Sequence, residues 1–134
     1  MGMYELTVAD RIWNRACLED VSKLREGDRA LAGMVLADGL IMNGGVLNAV
    51  EVYHESAYEM TAAIAGFLYF GLPEVVSLLA EAMELFLVGE ELEKHEVALD
   101  KRYWALVRDD SALTARFEAV LRANPAAFAP LQGQ

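Results

Sequence analysis

Residues 37–53, ADGLIMNGGVLNAVEVY, set two adjacent glycines inside a run that otherwise reads as buried helix. Upstream of them, Leu31, Met34, Val35, Leu36, Leu40, Ile41 and Met42 surround a helix over residues 29–42, with Asp28 placed to cap it. A helix that is apolar on nearly every side belongs at the centre of a fold rather than on its rim. Asn43 and Gly44 tolerate the left-handed conformation that ends helices, and Gly45 lets the chain turn before a second helix starts near Val46. The Asn43-Gly44-Gly45 stretch therefore predicts a corner between two packed helices. One glycine is expected at positive φ, and alanine is expected to be tolerated at the other. A phosphate cradle is disfavoured, because no GxxxxGK or GxGxxG pattern surrounds the glycines and no lysine stands near them. Asp38 lies angularly between Met34, Val35 and Met42 on the same helix, so it is expected to be buried and structural. The N–H groups at residues 45–47, which open the next helix, are its expected partners.

Outward from this corner the chain keeps to helix punctuation. Thr7 and Asp10 have capping-box spacing, and the helix over residues 8–18 carries Val8, Ile12, Ala16, Trp13 and Cys17 on one face. Ser56 and Glu59 repeat the spacing before a helix that runs to Gly71. Pro73 suits the first position of the next helix, which points Val75, Leu78, Leu79, Ala82 and Phe86 inward and Glu74, Ser77, Glu81 and Glu84 outward. Gly89 closes it. A long amphipathic helix follows, with Leu92, Val97, Leu99, Tyr103, Leu106 and Val107 as core contributors. Asp109 or Asp110 can cap a last helix to about Ala123, with Phe117, Val120 and Leu121 inward, and Asn124-Pro125 stops it. The tail over residues 125–134 reads as a loose end. With no linker and no repeat, the expectation is one all-α domain over residues 1–134, a compact bundle of about six to eight helices.

Composition narrows the class. The 134 residues are 55% apolar, ample for one core. Cys17 is the only cysteine, so neither an intrachain disulfide nor a cysteine zinc site can form, and a cytoplasmic setting is expected. No basic-then-apolar leader opens the chain, and no apolar run reaches the roughly 18 residues of a membrane span. Charge is the unusual quantity: 11 Lys and Arg against 21 Asp and Glu leave −10 at pH 7. Residues 30–93 contain no Lys or Arg, while Asp38, Glu51, Glu55, Glu59, Glu74, Glu81, Glu84, Glu90, Glu91 and Glu93 all fall there. Direct binding to nucleic acid or an anionic membrane is disfavoured, since it needs cations to displace condensed counterions, whereas a basic protein partner is favoured. The competing reading is that acidity only keeps an apolar chain soluble.

The segments NGGVLNAVEVY, AGFLYFGLPEVVSLLAEAMELF, LDKRYWAL and FEAVLRANPAAF, in this order, resemble the bacterial DNA mimic protein 19-like family, also described as domain of unknown function 4375. The resemblance covers about residues 28–128. It implies a helical domain and, from the family's named member, a homodimer that imitates the charge of DNA to occupy a basic partner such as a helix-turn-helix transcription regulator. One helix is too sparse for this. Its i,i+3 and i,i+4 neighbours stand about 5–6 Å apart, against a duplex charge roughly every 1.7 Å of axis. The partner-binding candidates are therefore spread over several helices: Glu51 and Glu55, then Glu74, Glu81 and Glu84, then Glu90, Glu91 and Glu93.

No catalytic or metal signature competes. Glu-x-x-His occurs once, at Glu51 and His54, because Leu92 stands three before His95, and a ferritin-like site needs two. Glu91 and His95 read as an exposed pair, Ser56 and Ser111 as helix-start residues, Ser77 as surface and Cys17 as a small hydrophobe. No catalytic residue, metal or cofactor is assigned, and the chain is expected to act by binding rather than as an enzyme. The alternative is a helical scaffold or small-ligand protein, with a cleft near Tyr53, His54 and Tyr58, whose acidity serves only solubility.

Overall fold

The computed structural model describes residues 6–132. Over these, the chain forms α1 (Val8–Leu18), α2 (Glu26–Gly44), α3 (Val46–Glu55), α4 (Ala57–Tyr69), α5 (Pro73–Val88), α6 (Leu92–Leu106) and α7 (Asp110–Ala123), then a 3-10 turn over Pro125–Ala127. The described residues contain no strand, and the architecture is the all-α bundle that the punctuation predicts. None of these helices is long and apolar enough to cross a membrane.

Local signals set most boundaries. Thr7 Oγ1 accepts the Asp10 N–H at 3.0 Å and the Asp10 carboxylate accepts the Thr7 N–H at 3.0 Å, closing the box that starts α1. Pro73 is the first residue of α5, and Gly89, at φ +76°, ends it. Asp109 accepts the Ser111 N–H at 2.9 Å and caps α7. Ser56 behaves differently: it precedes α4 without a side-chain cap, and the Glu59 N–H reaches the Ser56 carbonyl at 3.1 Å instead. That second capping box is not formed.

The central position of α2 follows from its composition. It packs on α1, α3, α4 and the C-terminal turn, and Leu31, Met34 and Ala37 are fully buried. Its closest neighbour is α4, because both helices present glycine at the crossing. A Cβ on Gly33 would stand 2.2 Å from the Ala62 carbonyl oxygen, and one on Gly66 would stand 2.5 Å from the Ala30 carbonyl oxygen. Backbone meets backbone there. On the other side of the core α3, α5 and α6 pack mutually, with Val46, Val50, Leu78, Leu79 and Tyr103 buried between them. Phe117 of α7 gathers an aromatic cluster, its ring centroid 5.7 Å from Trp13, 6.4 Å from Phe70 and 5.4 Å from Phe128.

Four expectations need correction. Asp28 does not cap α2, which starts earlier, at Glu26; it sits in the first turn, only 1% exposed, and accepts hydrogen bonds from Arg15 Nη2 at 2.6 Å, the Ala129 N–H at 2.8 Å and the Arg25 N–H at 3.2 Å. The tail is not loose as far as it is described. Ala127 and Phe128 are buried, Arg25 Nη1 donates to the Ala126 carbonyl at 3.0 Å, and Arg15 Nη2 donates to the Ala129 carbonyl at 2.9 Å. Arginines of the first helices thus clamp the end of the chain; residues 133–134 lie outside the described residues. Val97 is exposed rather than inward, and Cys17 is exposed rather than packed.

Candidate functional site: exposed carboxylates and the glycine corner

The glycine corner is built from both sides. The α2 helix continues through Asn43 and Gly44, and the break falls on Gly45 alone, at φ +90° and ψ 176°, a region open essentially to glycine. Gly45 has a second duty. A Cβ there would lie 2.8 Å from Asp100 Oδ2, and it is Asp100 of α6 whose Oδ1 accepts the Val46 N–H at 2.8 Å, capping α3 from a distant helix. Asp38 therefore does not serve the amides at 45–47. It is half-buried, and its Oδ1 accepts the Tyr103 hydroxyl at 2.6 Å. Asp100 and Tyr103, three residues apart on one face of α6, thus hold the end of α2 and the start of α3 together. Asn48 completes the corner by donating to the Leu40 carbonyl at 2.9 Å. Gly44 is not free either, since a Cβ there would meet Asn48 Cγ at 2.7 Å.

Two expected outcomes follow. Gly45→Ala should destabilise the fold by about 1–3 kcal/mol, the range for a side chain held in a glycine-only region. Gly39→Ala should instead stabilise it by about 0.5–1 kcal/mol, because a Cβ at this exposed helical position meets nothing within 4 Å. Urea midpoints that move the same way for both would refute the reading. Asp38→Ala removes the charged acceptor of the hydrogen bond that the Tyr103 hydroxyl donates from a fully buried residue and should destabilise by about 1.5–3 kcal/mol, the range for a hydrogen bond to a charged group. A midpoint unchanged from the parent protein would contradict that role.

Glu51, Glu55, Glu74, Glu81, Glu84, Glu90, Glu91 and Glu93 are all exposed. They stand on α3, α5, the connection after Gly89 and the first turn of α6, and these three helices pack on one another. The His54 ring lies 5.5 Å from Phe86, which brings the last turn of α3, with Glu51 and Glu55, to the end of α5 that carries Glu84 and leads to Glu90. Glu74 stands at the other end of α5, about 15 Å along the axis from Glu84 at the helical rise.

Two of the eight carboxylates are compensated. Glu81 pairs with Arg102 across the α5–α6 hairpin, and Glu91 pairs with Lys94 at 3.0 Å rather than with His95. Such exposed pairs contribute little to stability, and the other six, Glu51, Glu55, Glu74, Glu84, Glu90 and Glu93, make no ion pair among the described residues. Glu91 also takes the left-handed conformation, φ +52°, that turns the chain into α6. The cleft expected near Tyr53, His54 and Tyr58 is divided. His54 turns to Phe86, while Tyr53 and Tyr58 line a groove along α2 and α4.

Fold and composition together define an acidic, all-helical protein with eight exposed carboxylates on α3, α5, the connection after Gly89 and the start of α6. The chain belongs to the DMP19-like protein family, whose model matches residues 22–124. No curated protein and no solved structure matches it. The matched span includes the glycine corner, the eight exposed carboxylates and the α6 residues that hold the corner.

Proposed function

We propose that the chain is a non-enzymatic binding protein that uses the carboxylates of α3, α5 and α6 to imitate DNA charge and so occupy a basic DNA-binding protein, such as a helix-turn-helix transcription regulator. The observation that carries this reading is the exposure of all eight carboxylates, which stand on three mutually packed helices and the connection from α5 to α6, within a sequence span that holds no Lys or Arg from residue 30 to residue 93. Family membership supports it, since the family takes its name from a DNA mimic. On α5 alone, three carboxylates span about 15 Å of axis, where a duplex would carry about nine charges at one per 1.7 Å. The neighbouring helices, and a second copy in a cytoplasmic homodimer, would supply the remainder.

Glu74, Glu81 and Glu84 share the outer arc of α5 away from its core residues. Reversing all three to Lys should abolish capture of the basic partner while shifting the melting temperature little, because exposed charges contribute about 0–1 kcal/mol each. Partner binding by the parent protein should weaken steeply with salt. Capture that survives the triple reversal would count against the proposal. A scaffold whose acidity serves only solubility is the second reading, and the Glu81–Arg102 and Glu91–Lys94 pairs, which compensate two of the eight carboxylates, favour it.

A further inference from the structure

A groove of about 870 Å³ runs along the α2–α4 seam, reaching back to the end of α1. Small residues keep its floor at backbone level: Ala16, Ala32, Ala62 and Ala65 line it, beside the Gly33–Ala62 contact. The antiparallel register set by Gly33 on Ala62 and Gly66 on Ala30 places Leu36 and Gly39 opposite Glu59 and Ser56. At this end also stands Tyr53. It is 2% exposed, and its buried hydroxyl has no hydrogen-bond partner among the described residues although the side chain lines the groove. A buried hydroxyl left without a partner is unfavourable, so the groove is where one is to be sought.

The chemistry at this end selects a donor. Burial, together with the charge of Glu59, pushes the Tyr53 hydroxyl up to about 12, so it stays neutral and never offers an anion of its own. Glu59 makes no ion pair among the described residues. The lining as a whole carries Glu19, Asp20, Glu26 and Glu59 against the single cation Arg29, whose Nη1 already donates to the Leu24 carbonyl at 2.7 Å. A carboxylate or phosphate head would therefore be repelled.

We propose that the groove binds an aliphatic primary amine as its ammonium, with the head at the Tyr53, Ser56 and Glu59 end and the alkyl chain along the alanine floor. The three N–H bonds of such a head match one carboxylate and two hydroxyls. The floor, from the level of Glu59 to that of Tyr69, extends about 15 Å along α4 at the helical rise, enough for an eight-carbon chain.

Titration calorimetry with octylamine, butylamine, octanol and octanoate tests this on the intact protein. Octylamine should bind one equivalent, and octanoate should not bind. Butylamine should bind about 200-fold more weakly, since it buries four fewer methylenes. Glu59→Gln should weaken octylamine about tenfold while changing octanol less than about twofold, as expected for loss of a charge-assisted hydrogen bond. Tyr53→Phe should weaken octylamine about fivefold without lowering the melting temperature, since it removes an unpartnered hydroxyl. Gly39→Leu fills open space beside the head end and should abolish binding in a folded protein. The proposal is overturned if octylamine does not bind, if octanoate binds comparably, if butylamine matches octylamine so that only a lysine-sized head is read, or if folded Gly39→Leu binds as the parent does.

Discussion

Asp28→Ala is expected to destabilise the protein by about 3–5 kcal/mol, the range for removing one partner of a buried ion pair. The size follows from what the carboxylate holds. Asp28 is 1% exposed and joins three parts of the chain: Arg15 of α1 at 2.6 Å, the start of α2 through the Arg25 N–H, and the C-terminal segment through the Ala129 N–H at 2.8 Å. Its loss leaves the Arg15 guanidinium, itself only 10% exposed, without a counterion and frees the segment that seats Phe128. For a domain whose whole stability is about 5–15 kcal/mol, such a loss is a large fraction. Asp28→Asn should cost less, because the amide oxygen can still accept one of the N–H groups. A urea midpoint for Asp28→Ala that implies a loss under about 1 kcal/mol would contradict the clamp, given the usual penalty for one unsatisfied buried group.

Gly33→Val is the second large effect, at about 3 kcal/mol, the upper end of ordinary overpacking. The added Cβ would fall 2.2 Å from a carbonyl oxygen and 2.8 Å from a carbonyl carbon of Ala62, and backbone cannot swing aside as a flexible side chain can. Relief requires α2 and α4 to separate. That separation also opens the reciprocal Gly66–Ala30 contact and loosens Met34 and Phe67 in the core. Gly39→Val, on the same helix but in open space, should cost less than about 0.5 kcal/mol, as surface substitutions usually do. Equal losses at the two positions would show that helix propensity, not the crossing, sets the effect.

These two sites also mark what the sequence can show. Helix ends written in neighbouring residues were legible: Thr7 with Asp10, Pro73 and Gly89 act where their spacing places them. An aspartate just before an apolar run looks like a cap, and only the burial of Asp28, with one partner, the Ala129 N–H, about a hundred residues away in the tail, reveals the clamp. The same separation hid the docking of Phe128. At the glycine corner the break was legible but its cap was not, since Asp100 comes from α6. Helical periodicity correctly put Glu74, Glu81 and Glu84 outside. The pairing of Glu81 with Arg102 needed the hairpin to be folded back at Gly89, a signal present in the glycine itself. Gly33 and Gly66 leave no signal in the sequence, because the periodicity of large apolar residues carries no mark for a place where absence of a side chain makes the contact.

The most direct test of the account is displacement. The immobilised protein is exposed to an extract of its source cells at low salt, and whatever it retains is challenged with duplex DNA carrying the retained protein's own binding sequence. Mimicry of DNA charge predicts that a basic DNA-binding protein is held at low salt, released by high salt and released by the duplex in proportion to its concentration. Retention of no DNA-binding protein, or a ternary complex in which the captured protein holds the duplex and this chain at once, would contradict it.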